Sequence, residues 1–175
     1  MPATPAELFA LLDRLGIAHS TVSHPPLFTV ADSQGLRGTI PGGHTKNLFL
    51  KDKADALFLV VADEDAQIDL KSMHHKIGSK RLSFGSAGLL EEVLGVPPGS
   101  VTPFAAMNDT AGQVTVTLDQ AMMGHKTLNF HPLTNTMTTS IRGDDLPLFL
   151  GATSHPPRIL AVSAGPPADP RPIEI

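Results

Sequence analysis

Pro41-Gly42-Gly43-His44-Thr45-Lys46-Asn47-Leu48-Phe49-Leu50-Lys51-Asp52 places a turn and a polar run directly ahead of an apolar strand. A strand beginning at Leu48 buries Leu48 and Leu50 on one face, because side chains alternate along extended backbone. The preceding Gly42-Gly43 brings bare backbone N–H groups close to whatever Lys46 touches. This pattern predicts an anion or carbonyl site at the start of a sheet strand. A second apolar run, Ala56 to Ala62, follows across Lys51-Asp52-Lys53-Ala54-Asp55 and predicts a hairpin partner.

Outward from that hairpin, Thr4-Pro5-Ala6-Glu7 has the form of a capping box with proline at the first helical position. Leu8, Leu11, Leu12 and Leu15 line one face of the helix it starts, and Gly16 closes it. Ala18 to His24 predicts a short strand before Pro25-Pro26, and Thr29 caps a second short helix over Val30 to Gln34. Beyond the hairpin, Leu70 to Ile77 reads as helix and Lys80 to Phe84 as extended chain. Leu89, Leu90, Val93 and Leu94 give helical spacing from an N-terminus at Gly85-Ser86-Ala87-Gly88 up to Gly95. The prolines between Val96 and Phe104 exclude regular helix there and predict a shaped loop.

Val114, Val116 and Leu118 alternate with Thr115 and Thr117, the pattern of a half-buried strand. Thr127 to Phe130 and Thr136 to Ile141 predict two strands flanking the His131-Pro132 turn. Asp144 is placed to cap a helix ending near Gly151, and Arg158 to Val162 reads as a last strand. The sum is a mixed α+β fold: a curled, mostly antiparallel sheet or barrel surrounded by short helices. One domain spans residues 1–163, and a proline-rich tail, with Pro166, Pro167, Pro170 and Pro172, spans 164–175.

With 175 residues, 41% hydrophobic and 17% charged, the chain has enough apolar material for one substantial core. It has no apolar run near the ~20 residues a membrane span needs and no basic-then-apolar leader, so a cytoplasmic protein without a membrane partner is expected. The absence of cysteine excludes disulfides, thiolate catalysis and cysteine-based metal sites. A net charge of −4 argues against coating DNA or RNA non-specifically, since phosphate neutralisation drives such binding. From Lys71 to Leu90, however, Lys71, Lys76, Lys80 and Arg81 stand with His74 and His75 and no carboxylate. That segment is either a solvated surface or a local basic face suited to one RNA end.

The familiar phosphate-loop, dinucleotide, serine-elbow and His-Glu-x-x-His signatures are absent. Eight histidines show no recognised ligand spacing, and adjacent His74-His75 are expected on different faces of a helix, so neither metal nor cofactor is expected. Lys46 is either a surface lysine at a strand start or an ammonium that holds a ribose oxygen, a phosphate or a developing oxyanion. Asn47 joins that polar cluster or satisfies turn backbone. His131 is either a partly buried histidine bonded to backbone or a hydrogen-bond donor to substrate, and Gly99 and Ser100 can offer backbone N–H groups from their loop.

Three segments carry a family likeness: Gly43-His44-Thr45-Lys46-Asn47-Leu48-Phe49-Leu50, Gly95-Val96-Pro97-Pro98-Gly99-Ser100-Val101-Thr102-Pro103, and His131 to Thr139. In this order they resemble the YbaK/prolyl-tRNA synthetase-associated editing domains, most closely the freestanding members that hydrolyse alanyl-tRNA(Pro). The resemblance runs roughly from Glu7 to Val162. It implies an aminoacyl-tRNA deacylase that proofreads for prolyl-tRNA synthetase, with the acceptor end of tRNA(Pro) as partner and the synthetase as a second one. It implies catalytic roles for Lys46, Asn47 and His131, and substrate contacts from Gly43, His44, Thr45, Gly99 and Ser100. Thr29 and Ser33 would lie on a helix covering the pocket mouth. Lys51, Lys80 and Arg81 are the expected RNA contacts. Eight Phe with no Tyr or Trp leave few stacking partners, so electrostatics is expected to dominate RNA binding. The alternatives are a deacylase of seryl-, threonyl- or cysteinyl-tRNA, a non-catalytic module that binds tRNA or a synthetase, and a hydrolase of small aminoacyl esters.

Overall fold

A computed structural model describes residues 1–26 and 39–163 of the chain. The expected helix over Val30 to Gln34, with Thr29 and Ser33, and the tail over 164–175 lie outside the described residues. Helix α1 (Pro5–Arg14) opens on the expected capping box, Thr4 accepting the Glu7 amide and Glu7 accepting that of Thr4, and it buries Leu8 and Leu12. Strand β1 (His19–Ser23) follows.

Strand β2 runs over Gly43–Asp52, starting five residues before the expected Leu48. Local hydrophobicity does not predict the early start, because tertiary pairing creates it. His44 pairs with Asn129 and Thr45 with Asp63, so the polar run is held by neighbours on both sides. The strand also continues through Lys51 and Asp52, which narrows the hairpin turn to residues 53–56 before β3 (Leu57–Asp63). Asp52 closes that turn by accepting the amides of Ala54 and Ala56, each at 2.9 Å.

Helix α2 (Leu70–Ile77), capped by Asp69, leads to β4 (Leu82–Phe84), and α3 (Ala87–Leu94), capped by Ser86, ends on Gly95 at a φ of 68°. A 3₁₀ turn over Pro103–Asn108 precedes β5 (Val114–Asp119), another over Met122–Gly124 precedes β6 (Thr127–Phe130), and β7 (Met137–Arg142) returns. Helix α4 (Asp145–Ala152) starts without a side-chain cap from Asp144, and β8 (Arg158–Leu160) is shorter than expected. Among the described residues, no helix is long and apolar enough to cross a membrane.

The strands form one sheet in the order β1-β7-β6-β2-β3-β5-β8, with β4 beside β2. The β1/β7, β7/β6, β2/β3 and β2/β4 ladders are antiparallel, and the short β6/β2 and the β3/β5 and β5/β8 ladders are parallel. Each face of the sheet has its own core. The larger collects Phe49, Leu59, Val61, Val116, Phe104 and Phe149 with the leucines of α1; the smaller sets Leu50, Phe58 and Val60 against Met73 and Ile77 of α2.

Candidate active site

Alternation along β2 divides its polar run between the two faces of the sheet. Gly43, Thr45 and Asn47 share the face of Phe49 and the larger core, whereas His44 and Lys46 share that of Leu48 and Leu50. The pairing of His44 with Asn129 carries this division into β6, so Asn129 and, continuing the alternation, His131 lie on the face of Lys46. Pairing in β7 and β1 adds Ser140, Thr138 and Val22 to it. The sheet thus presents one face lined by an ammonium, an imidazole, an amide and hydroxyls.

Lys46 Nζ donates to the Ala66 carbonyl at 2.5 Å, in the loop between β3 and α2. An ammonium carries three N–H donors, so one anchoring bond does not exhaust it. Asn47 turns to the opposite face, and its Oδ1 is buried without a partner among the described residues. These two neighbours in sequence therefore do not line the same surface.

His131 Nδ1 donates to the Met137 carbonyl at 3.1 Å, which fixes the tautomer, because a carbonyl only accepts. Burial pushes its imidazole below the ordinary histidine value; the bond to Met137 opposes the drop and neighbouring His24 adds to it. A neutral ring with its proton on Nδ1 presents a lone pair at Nε2. His131 is thus the partly buried, backbone-bonded histidine of its two expected forms, and its Nε2 is left as an acceptor. His24 has the same arrangement, Nδ1 donating to the Pro25 carbonyl and Nε2 accepting from Thr138 Oγ1, each at 2.8 Å, with its ring centroid 6.3 Å from that of His131.

Gly42 and Gly43 answer to packing. A Cβ on Gly43 would come within 2.6 Å of the His125 ring, and Gly42, at a φ of 104°, would put one 2.9 Å from the Thr127 carbonyl. His125 Nε2 is itself 2.8 Å from the Asp63 carboxylate. His44 donates through Nε2 to the Ile40 carbonyl at 2.9 Å, and Thr45 donates its hydroxyl to the Asn129 carbonyl at 2.7 Å. Asn129, 3% exposed, gives its amide N–H groups to the Pro41 and Gly43 carbonyls and takes a short bond from Ser140. The glycine turn and the strand start are thus knitted to β6 by side chains.

The proline loop lies beside the His131 turn, since a Cβ on Gly99 would sit 3.7 Å from the Asn135 amide nitrogen. Ser100 is buried and its N–H donates to the Pro97 carbonyl at 3.1 Å, so that N–H stabilises the loop rather than facing a ligand as expected. Of the expected RNA contacts, Lys51 and Arg81 line a groove of about 480 Å³ at the hairpin end of β2, with Lys53, Leu82, Ser83 and the carboxylates of Asp52 and Asp55. Lys80 lies exposed outside that lining; its amide donates to Asp52 Oδ2 at 3.1 Å, tying the start of β4 to the hairpin. Burial raises the Asp52 carboxyl, but the amides of Lys80, Ala56 and Ala54 and the Lys80 charge outweigh it and hold it below the usual carboxylate value.

The expected separation of His74 and His75 does not hold, for their rings approach to 3.9 Å. Among the described residues, no group of three or more His, Asp or Glu is placed to hold a metal ion. Sequence reasoning missed His24 and Asn129. The signal for Asn129 was present, as it is the polar residue between Leu128 and Phe130, but its importance emerges only when β6 pairs with β2.

Residues 24–149 match the model of the aminoacyl-tRNA editing domain. The chain is 39% identical to prolyl-tRNA synthetase associated domain-containing protein 1 of Danio rerio, over 89% of this chain and 85% of that one. It is 35% identical to the prolyl-tRNA editing protein ProX of Acetoanaerobium sticklandii, over 85% and 91% respectively. In fold it matches the crystal structure of a proposed trans-editing enzyme for prolyl tRNA synthetase, with a TM-score of 0.68 at 17% identity, covering 94% of this chain and all, 100%, of that one. The chain belongs to the aminoacyl-tRNA editing domain family.

Proposed function

We propose that this protein is a cytoplasmic trans-editing hydrolase that removes alanine from mischarged tRNA(Pro), acting on product released by prolyl-tRNA synthetase. The observation that carries the reading is the placement of Lys46 and His131 on one polar sheet face, in a chain whose relatives include a prolyl-tRNA editing protein. The need for such an enzyme follows from pocket physics. A synthetase site shaped for proline rejects smaller alanine only through the apolar contacts that alanine fails to make, about 1–3 kcal/mol per methylene. A second, smaller site that excludes proline by size inverts the test.

In the reaction, water oxygen bonds to the ester carbonyl carbon, the carbon–ribose oxygen bond breaks, and the water proton passes to the departing ribose oxygen. Lys46 holds the terminal ribose or phosphate and steadies negative charge as it develops. His131 Nε2 accepts a hydrogen bond from the substrate's ammonium or from the ribose hydroxyl next to the ester. That hydroxyl relays the proton, so the protein supplies no strong base. Asn47, on the far face, supports the strand that carries Lys46.

The test is single-turnover deacylation of alanyl-tRNA(Pro), prolyl-tRNA(Pro) and seryl-tRNA by the wild-type protein and Lys46→Ala. Loss of alanine alone, abolished in the variant, is expected. Preferential loss of serine would move the assignment to the seryl- and threonyl-directed branch. RNA binding without turnover of any ester would make the protein a binding module.

A further inference from the structure

Phe84 is 63% exposed, an unusual state for a phenylalanine in a strand. It pairs with Leu50 across the β4/β2 ladder, so it stands on the same face of the sheet as Leu48 and Lys46. Strand β4 runs antiparallel to β2, and its direction matters. Arg81, just before β4, lines the hairpin groove with Lys51, Lys53, Asp52 and Asp55, and each further residue moves toward the Lys46 end. Phe84 stands between the two, about 13 Å along the strand from Lys46 and about 10 Å beyond Arg81 at the usual rise of an extended chain.

Among the described residues, no strand pairs with the facing edge of β2 between His44 and Leu50. Strand β6 pairs with β2 only at Gly43 and His44, and β4 joins only from Leu50. Between them, among the described residues, the edge is bracketed by the Thr45 hydroxyl on the Asn129 carbonyl and by the Gly85 amide on the Phe49 carbonyl. Gly85 makes this bracket possible, because a Cβ there would fall 2.5 Å from the Phe49 ring. The close approach presses the backbone of residue 85 onto β2 and leaves the Phe84 ring at the rim.

We propose that Phe84 is a stacking platform for one base of the unpaired 3′ end of the tRNA, holding that strand between a phosphate grip at Arg81 and the ester at Lys46. Stacked nucleotides repeat at roughly 3.4 Å, so about 13 Å spans three to four of them. The base on Phe84 is therefore the one at the foot of the single strand, next to the acceptor stem. Single-stranded RNA ends are commonly held on aromatic faces, and such stacking tolerates any base. Stacking therefore adds to the electrostatic grip, although the chain lacks Tyr and Trp.

This inference rests on the tRNA hydrolase reading, and the experiment separates the two. 2-Aminopurine is placed singly at each of the four unpaired 3′ positions of an alanylated acceptor-stem minihelix; fluorescence on binding and steady-state deacylation are then measured for wild type, Phe84→Ala, Phe84→Leu and Phe84→Trp. Quenching is expected at the stem-proximal position, abolished with Ala, weakened with Leu and kept with Trp. KM should rise roughly 5- to 150-fold for Ala, the effect of removing one base–aromatic stack, with kcat far less affected. Unchanged quenching and KM in Phe84→Ala, with wild type turning over, would overturn the platform alone. Binding and quenching without turnover would retain the platform and overturn the hydrolase, whereas a wild type that binds no RNA would overturn both.

Discussion

The two ends of β2 share one backbone and differ in chemistry. At the Gly43 to Lys46 end, side-chain bonds to backbone from His44, Thr45 and Asn129 fix a polar face that carries the Lys46 ammonium and the His131 imidazole. At the Leu50 to Asp52 end, Lys51, Lys53 and Arg81 line an open groove with Asp55 and Asp52, and the Asp52 carboxylate ties the hairpin to β4. About five strand residues, roughly 17 Å, separate them. One rigid strand thereby separates reaction from grip, and mutations at its two ends should appear in different kinetic constants.

The sharpest way to break the comparison is Lys46→Ala. Loss of a charge-stabilising donor typically costs 10²–10³ in kcat, and a fall of at least about 100-fold is expected, exceeding the rise in KM from the lost hold on the terminal ribose or phosphate, with little change in melting temperature. If KM rose while kcat held, Lys46 would be part of the grip and the division between the ends would fail.

Asn129→Ala tests what makes the reactive end rigid. It removes two donated bonds and one accepted bond from a buried amide, and leaving the Pro41 and Gly43 carbonyls unpaired should cost about 1–3 kcal/mol. Calorimetry should then show the melting temperature lowered by roughly 2–12 °C. A variant as stable as wild type would mean that the β6/β2 ladder alone fixes the strand start.

Lys51→Ala with Arg81→Ala examines the other end. Removing each cation that touches a phosphate should weaken RNA binding and flatten the dependence of log KM on log salt by about 1, with kcat kept. Lys51 is shared with Asp55 at 3.8 Å, so its share should be smaller than that of Arg81. An unchanged salt slope would place the RNA elsewhere.

Elements defined by local signals were legible in the sequence. The Thr4 capping box, the helix N-terminus at Gly85 to Gly88 and the Val114 to Leu118 strand each depend on residues within one turn or strand, and each stands where the residues place it, although Thr117, expected on a solvated face, is buried. The site was legible as a set of segments, not as a geometry. Adjacency grouped Lys46 with Asn47, and only the β2/β6 register separates them and brings Lys46 to the face of Asn129 and His131. The glycines suggested an anion cradle because their need for space is visible in sequence, whereas the His125 ring that fills the space is not. Phe84 reads as an ordinary strand phenylalanine until β4 proves to be a three-residue element at the rim of β2.

The smallest expected effect is the most discriminating about His131. Its imidazole titrates below the ordinary 6.5 because burial disfavours the cation, so as pH falls from 6.5 the unfolded chain takes up this proton before the folded one does. Stability therefore rises with pH across the window between the lowered folded value and 6.5, and falls on acidification through it. Activity should follow the same direction, because protonating Nε2 removes the acceptor and adds a cation to the face of Lys46. The pH profile of kcat should thus climb with its midpoint below 6.5, and His131→Gln should flatten that limb while leaving the salt slope of KM in place. A wild-type rate that instead rises on acidification would make imidazolium the working form and turn His131 back into a donor. The reactive end would then carry two cations, and its contrast with the Lys51 and Arg81 end would disappear.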